Sequence, residues 1–248
     1  MIDQPPEILQ KAESCGFVVF KNGDYNLNII GVRSANPIPN LFIDKIYLVY
    51  KSDGNWVEEI YPITTDAGTY WLENPSRVLG TAVLVHDKQY RGVYKLGLHR
   101  GNYEALVQTG GEVLVWRDNN KDDVVDFGGP EYSGYFGINI HRANSSRQST
   151  QVDRWSAGCQ VFANPSHFAR LIQLAKLQIR HGHGDSFSYT LISEKTIDQI
   201  IINKMESECP EEESKSQSKS QKKSSLTSSK SSKKSTKPKG RKAKAAQK

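Results

Sequence analysis

Gly137-Ile138-Asn139-Ile140-His141, then a polar connector, then Trp155-Ser156-Ala157-Gly158-Cys159-Gln160-Val161-Phe162, places a histidine and a cysteine at the ends of two short apolar runs. Runs of this kind read as strands, and adjacent strands bring together side chains that lie eighteen positions apart in the chain. A thiol is a weak nucleophile until a base takes its proton, so a Cys159/His141 pair is the minimum equipment for attack on a carbonyl. Gly158 allows a tight turn beside the cysteine, and the amides of Gly158 and Cys159 are expected to face a developing oxyanion. Ser156 is expected to orient the cysteine strand or the histidine through a hydrogen bond. The stretch points to an enzyme built on strands.

Most of the surrounding chain has the same character. β-branched and aromatic residues cluster at 16–20, 25–32, 46–50, 56–61, 81–85, 103–108, 112–117 and 135–141, with Asn22-Gly23, Asp53-Gly54 and Gly110-Gly111 as turn signals between them. Over 166–180 the period changes: Phe168, Leu171, Ile172, Ala175 and Ile179 share one helical face, with Asn164-Pro165 suited to its start and Gly182 to its stop. A strand at 187–192 follows, and Ser193 is placed to cap a helix running to 204. The fold class expected is mainly β (α+β), with one helix directly after the cysteine motif.

Strand-His, connector, Ser-x-Gly-Cys, helix and final strand resemble the catalytic core of the YkuD-type L,D-transpeptidases. The resemblance runs from about Thr64 to Ile192, with Thr64-Thr65-Asp66-Ala67-Gly68-Thr69-Tyr70 in the place of that family's upstream turn. The wording Ile-His-Arg and Trp-Ser-Ala-Gly-Cys-Gln-Val-Phe is similar to that of phage and viral members. The resemblance implies a β-sandwich or barrel catalytic domain over 64–205, preceded by a β-rich part over 1–63 that is continuous with it. It also implies acyl transfer or hydrolysis on peptidoglycan stem peptides. Cys159 would attack, His141 would move the proton, and no cofactor would be required.

Two departures from the family bear on substrate. His141-Arg142-Ala143 stands where the family has His-Gly-Thr, and Val161 stands where it has an arginine that meets substrate carboxylate. Arg142 and Arg154 are the substitutes expected to bind an anion, with Trp155 as a wall of the cleft. These departures favour a hydrolase or a relaxed-specificity relative. His99 reads as a turn histidine, with a place lining the same cleft as the alternative, and His181-Gly182-His183 as the solvated end of a helix, because no third metal ligand stands at a fitting distance. Chain order disfavours a papain-like arrangement, since there the cysteine precedes the histidine.

Asp118-Asn119-Asn120-Lys121-Asp122-Asp123-Val124-Val125-Asp126 spaces Asp118, Asn120, Asp122 and Asp126 as oxygen ligands of a calcium loop. Asp123 stands where the loop wants glycine, and Gly129 where it wants a bidentate glutamate. Calcium is one reading of the stretch and an acidic turn without metal is the other.

Charge divides the chain. Of 33 Lys and Arg, 13 lie in 214–248 with no acidic residue, leaving 20 basic against 27 acidic residues in 1–213. The tail has almost no apolar content to offset its ordering entropy, so it reads as a disordered segment over 206–248. A polycation of this kind binds polyanions, nucleic acid or an anionic wall polymer, or serves as a solubilising appendage. No apolar run is long enough to span a membrane. The N-terminus lacks the layout of a secretory signal, which implies cytoplasmic synthesis, with carriage in a virion or release at lysis. Cys15, Cys159 and Cys209 are too few for a disulfide framework, so free thiols are expected. The alternative to the enzyme is a non-enzymatic virion or structural protein whose tail holds nucleic acid.

Overall fold

The computed structural model describes residues 4–208. Among them the chain forms α1 (Glu7–Ser14), β1 (Asn28–Arg33), β2 (Asp44–Ser52), β3 (Asn55–Thr64), α2 (Thr69–Glu73), β4 (Thr81–Leu84) and β5 (Lys88–His99). There follow β6 (Tyr103–Gln108), β7 (Val113–Asp118), β8 (Tyr132–Gly134), β9 (Ile140–Arg142), β10 (Gln160–Phe162), α3 (Pro165–Arg180), β11 (Ser186–Ser193) and α4 (Glu194–Glu208). Eight strands close a barrel in the order β1-β11-β5-β6-β9-β10-β3-β2, and β4, β7 and β8 form a separate small sheet. The neighbours pair antiparallel except β1 with β11 and β9 with β10, which are parallel. The protein is thus mainly β, and β1 to β3 belong to the same barrel as the strands that carry His141 and Cys159. No helix among the described residues is long and apolar enough to cross a membrane. The sequence reading of 206–248 as a disordered tail falls almost wholly outside the described residues.

The elements differ from the sequence reading where local pattern and tertiary pairing disagree. β5, twelve residues long, has no clean alternation because its pairing with β11 shifts register between Phe187 and Tyr189. Gly92 sits opposite that irregularity at φ +65, so Tyr90 on one side and Val93 and Tyr94 on the other are all buried. Segment 16–20 is not a strand. Its Val18 backbone instead exchanges two hydrogen bonds with the Gln89 side chain, 3.1 Å at N–H and 2.8 Å at C=O. The run at 135–141 is mostly irregular and enters β9 only at Ile140. α1 and α2 had no sequence reading.

α3 forms as its spacing dictates. Asn164 Oδ1 accepts from Ser166 N at 2.8 Å, Pro165 fills the first turn, and Phe168, Leu171, Leu174 and Ala175 are buried against the barrel core. Each fully buried side chain of this size contributes about 1.5–3 kcal/mol of transfer free energy. Ser193 Oγ accepts from Thr196 N at 3.2 Å and so caps α4.

The largest fully buried side chain is Arg33, at the end of β1. Its Nε donates to Thr65 Oγ1, one terminal nitrogen to Leu84 O and the other to Thr65 O, at 2.9–3.0 Å, with Asp66 Oδ1 3.1 Å from Nε. Asp44 Oδ2 accepts from both the amide and the hydroxyl of Thr65. A buried guanidinium is tolerated only when its donors are filled, and filling them here ties β1, β2 and β4 to the 64–68 turn. Burial pushes the Asp66 carboxyl up to about 7 even though Arg33 opposes the shift. The 64–68 turn in turn borders the cysteine loop: Gly68 N donates to Ser156 O at 3.0 Å.

Candidate active site

Parallel pairing of β9 with β10 sets Ile140 opposite Gln160 and His141 opposite Val161, and Gln160 N donates to Asn139 O at 2.9 Å. With a period of two, His141 and Val161 face one way and Ile140, Gln160 and Phe162 the other, and all five are buried. Cys159 is half-buried and its thiol is gripped by backbone: Asn139 N donates to Sγ, and Sγ donates to Gly137 O, each at 3.4 Å. His141 is 3% exposed. Its Nδ1 lies 2.8 Å from Arg142 O, which can only accept, so Nδ1 carries the proton and Nε2 is left as a lone pair. The Tyr103 hydroxyl donates to the same carbonyl at 3.2 Å and stands 3.3 Å from Nδ1. His141 and Cys159 share no hydrogen bond in this resting arrangement.

The electrostatics keep both groups neutral at rest. Burial pushes the Cys159 thiol up, against the opposing pull of the Asn139 amide and the Arg100 charge. Burial lowers His141 to about 3, helped by His99, Arg100 and Arg142 and resisted by the hydrogen bond to Arg142 O. Both shifts oppose a standing thiolate–imidazolium pair, so the resting site holds a neutral thiol and a neutral imidazole.

The loop before the cysteine is built around Ser156, which is fully buried. Its hydroxyl donates to Cys159 O at 2.8 Å and accepts from Gly158 N at 3.1 Å. The Gly158 amide, expected at the oxyanion, is thus already occupied. The Cys159 amide has no acceptor among the described residues and is the donor left for an oxyanion.

Arg142 directly follows His141, its guanidinium 4.0 Å over the Tyr103 ring. Arg154 stacks 3.9 Å over Tyr70 of α2, and Trp71 Nε1 donates to the Arg154 carbonyl at 3.1 Å. Trp155 is 42% exposed on the same loop.

Arg100, Asn139 and Gln108 carry no expectation from the sequence, and His99 meets both of its readings. It ends β5 and opens the turn, its carbonyl accepting from Asn102 N at 3.0 Å, while its buried ring stacks on His141 at 4.0 Å. Arg100, the next residue, is the arginine whose charge acts on both Cys159 and His141. Asn139 links the two halves, since its Nδ2 reaches His99 Nδ1 at 3.1 Å and its backbone meets the thiol. Gln108 Oε1 accepts from Phe136 N and Ile138 N while its Nε2 donates to Gly111 O and Gly134 O, stapling the approach to β9.

The acidic loop after β7 closes on itself. Asp118 Oδ2 accepts from Asp126 N, Asp122 Oδ1 from Val124 N, and Asn120 Nδ2 donates to the carboxylates of Asp122 and Asp126 at 2.8 and 2.9 Å. An amide donor thus stands between two of the oxygens a cation would need, and Asp118 Oδ1 is buried without a partner. Among the described residues no group of three or more His, Cys, Asp or Glu is arranged to hold a metal. Calcium titration followed by melting temperature separates the two readings of the loop: no change keeps it an acidic turn, and a rise of several degrees shows that Asn120 turns to admit the ion. His181 packs on Tyr25 and His183 Nε2 meets Asp24 O at 2.8 Å, so both dock the end of α3 on the 24–25 turn.

No protein-family model, no curated protein and no solved structure matches the chain.

Proposed function

We propose that the protein is a cysteine-dependent acyltransferase or peptidase of the L,D-transpeptidase kind, acting on peptidoglycan stem peptides. The observation that carries the reading is the β9/β10 pairing, which sets a lone-pair imidazole on one strand and a backbone-gripped thiol at the entry to its neighbour. His141 Nε2 takes the proton of Cys159 as Sγ bonds to the peptide carbonyl carbon and the π pair moves to oxygen beside the Cys159 amide. Collapse expels the amine, which recovers the proton from His141. Water or a second amine then attacks the thioester with His141 again as base, restoring the thiol and giving a cut or a crosslink. Arg100 and Arg142, cations beside the nucleophile and base, are suited to a carboxylate on the stem peptide.

The basic segment 214–248 would hold a polyanion, nucleic acid or anionic wall polymer, and would suit a protein carried in a virion or released at lysis. The test is mass analysis of stem peptides and purified peptidoglycan after incubation with the protein and with Cys159→Ala. Loss or exchange of a terminal D-amino acid, or a cut crosslink, that disappears in Cys159→Ala is the expected result. Absence of any such product on every wall type would favour the non-enzymatic reading, a structural or virion protein that uses its tail to hold nucleic acid.

A further inference from the structure

Two imidazoles lie face to face at the site, His99 and His141, with ring centroids 4.0 Å apart and 23° between planes. At that separation a charge on one ring strongly opposes a charge on the other, so the pair titrates as a unit that resists taking a second charging proton after the first. The hydrogen bonds fix the two neutral forms differently. Gln108 N can only donate, so the atom it meets at 2.9 Å is Asn139 Oδ1. Asn139 Nδ2 is then the atom 3.1 Å from His99 Nδ1. An amide nitrogen of this kind has only protons to offer, so His99 Nδ1 is a bare lone pair and the ring proton sits on Nε2. A second proton on Nδ1 would set N–H against N–H. His141 has the opposite form, with Nδ1 protonated toward Arg142 O and Nε2 bare.

We propose that Asn139 is a positioning residue that holds His99 neutral, and that a neutral His99 is the condition under which His141 can accept the Cys159 proton. This rests on the base role given to His141 above. When the proton passes from Sγ to His141 Nε2, an imidazolium forms against the stacked ring; a charged His99 would make that step a meeting of two cations. The charged groups that act on the pair add to the constraint. Arg100, directly after β5, and Arg142 of β9 both act on both rings, and Tyr103 of β6 is neutral. Among the described residues no carboxylate acts on either ring, so nothing offsets a second positive charge. The same Asn139 grips the thiol through its backbone amide, which couples the nucleophile and the neighbour of its base in one residue.

The first arm of the test needs no substrate. Nitrogen-15 spectra of the full chain with labelled histidine, at neutral pH, should show His99 bare at Nδ1 and protonated at Nε2, with His141 the reverse. Asn139→Asp supplies an acceptor in place of the donor, so His99 should become doubly protonated at the same pH. In the second arm, kcat on the stem peptide should fall at least about tenfold in Asn139→Asp without a matching rise in KM. His99→Phe keeps a flat ring with no proton site, and should move the acid limb of the pH profile to lower pH; a purely structural role would leave the limb in place. A proton on His99 Nδ1 in the wild type overturns the proposal, as does a doubly protonated His99 with unchanged kcat. If no substrate is turned over the reaction assignment fails, while the spectra still decide the state of the pair.

Discussion

Gly158→Ala is expected to destabilise the protein by about 3–5 kcal/mol and to lower Tm by roughly 10 °C, an effect at the upper end for a single methyl group. Two costs coincide at this position. The residue has φ +112, a backbone conformation that disfavours any side chain, and an added Cβ would sit 2.2 Å from Ala82 O and 3.3 Å from Ile138 Cδ1. The carbonyl cannot step aside cheaply, because Ala82 lies in the β4 ladder opposite Arg117. The turn would have to open instead, and opening it pulls the Gly158 amide from Ser156 Oγ and shifts Cys159. Urea unfolding of the variant beside the wild type measures the cost. A loss of no more than about 1 kcal/mol, the low end of the cost of a strained backbone position alone, would mean that the turn is not pressed against β4.

His141→Gln should act on two readouts with one cause. In the proposed reaction a general base is worth about 10²–10⁴ in turnover, so Cys159-dependent product should fall by that factor while the chain stays folded. The second readout is acid stability. Folding holds the His141 imidazolium down to about 3 from an ordinary value of 6.5, chiefly through burial. Between those two values the unfolded chain takes up a proton that the folded chain refuses, so this stabilisation is full at neutral pH. It is lost as pH falls across the window, at up to about 1.4 kcal/mol per pH unit. Glutamine has no such proton, so the stability of His141→Gln measured from pH 7 to pH 4 should decline less steeply than that of the wild type. Equal slopes would show that His141 is already charged in the folded protein.

The parts of the fold that could be read from the sequence are those whose signals are local. α3 announces itself through the 3.6-residue spacing of Phe168, Leu171, Ile172 and Ala175 and through the Asn164-Pro165 start. β2, β3, β6 and β7 alternate or carry dense β-branched runs, and their turns carry Asp-Gly or Gly-Gly. β5 could not be read, because a register shift against a strand nearly a hundred residues later decides which of its side chains face inward. The same limit governs the site. His141 and Cys159 stand out because they end apolar runs within one short stretch. His99 gives no such signal, since it becomes a neighbour of His141 only when β5 pairs with β6 and β6 with β9. Gln108 and Asn139 act on backbone groups and a ring whose positions depend on barrel closure. Amide side chains of that kind carry no local mark of the role.

The parallel pair of the first and last strands has a kinetic consequence. β11 lies between β1 and β5, so the barrel stays open until residues 186–193 are in place, with the hydrogen-bonding edges of both β1 and β5 bare. Joining Ile29 to Tyr189 closes a loop that includes all of β2 to β10, and ordering a loop of that length must precede the contacts that reward it. Folding should therefore be slow and should finish late, with the aggregation risk of unpaired edges concentrated before that step. A chain interrupted anywhere short of β11 would leave an open sheet with two edges able to recruit a second chain.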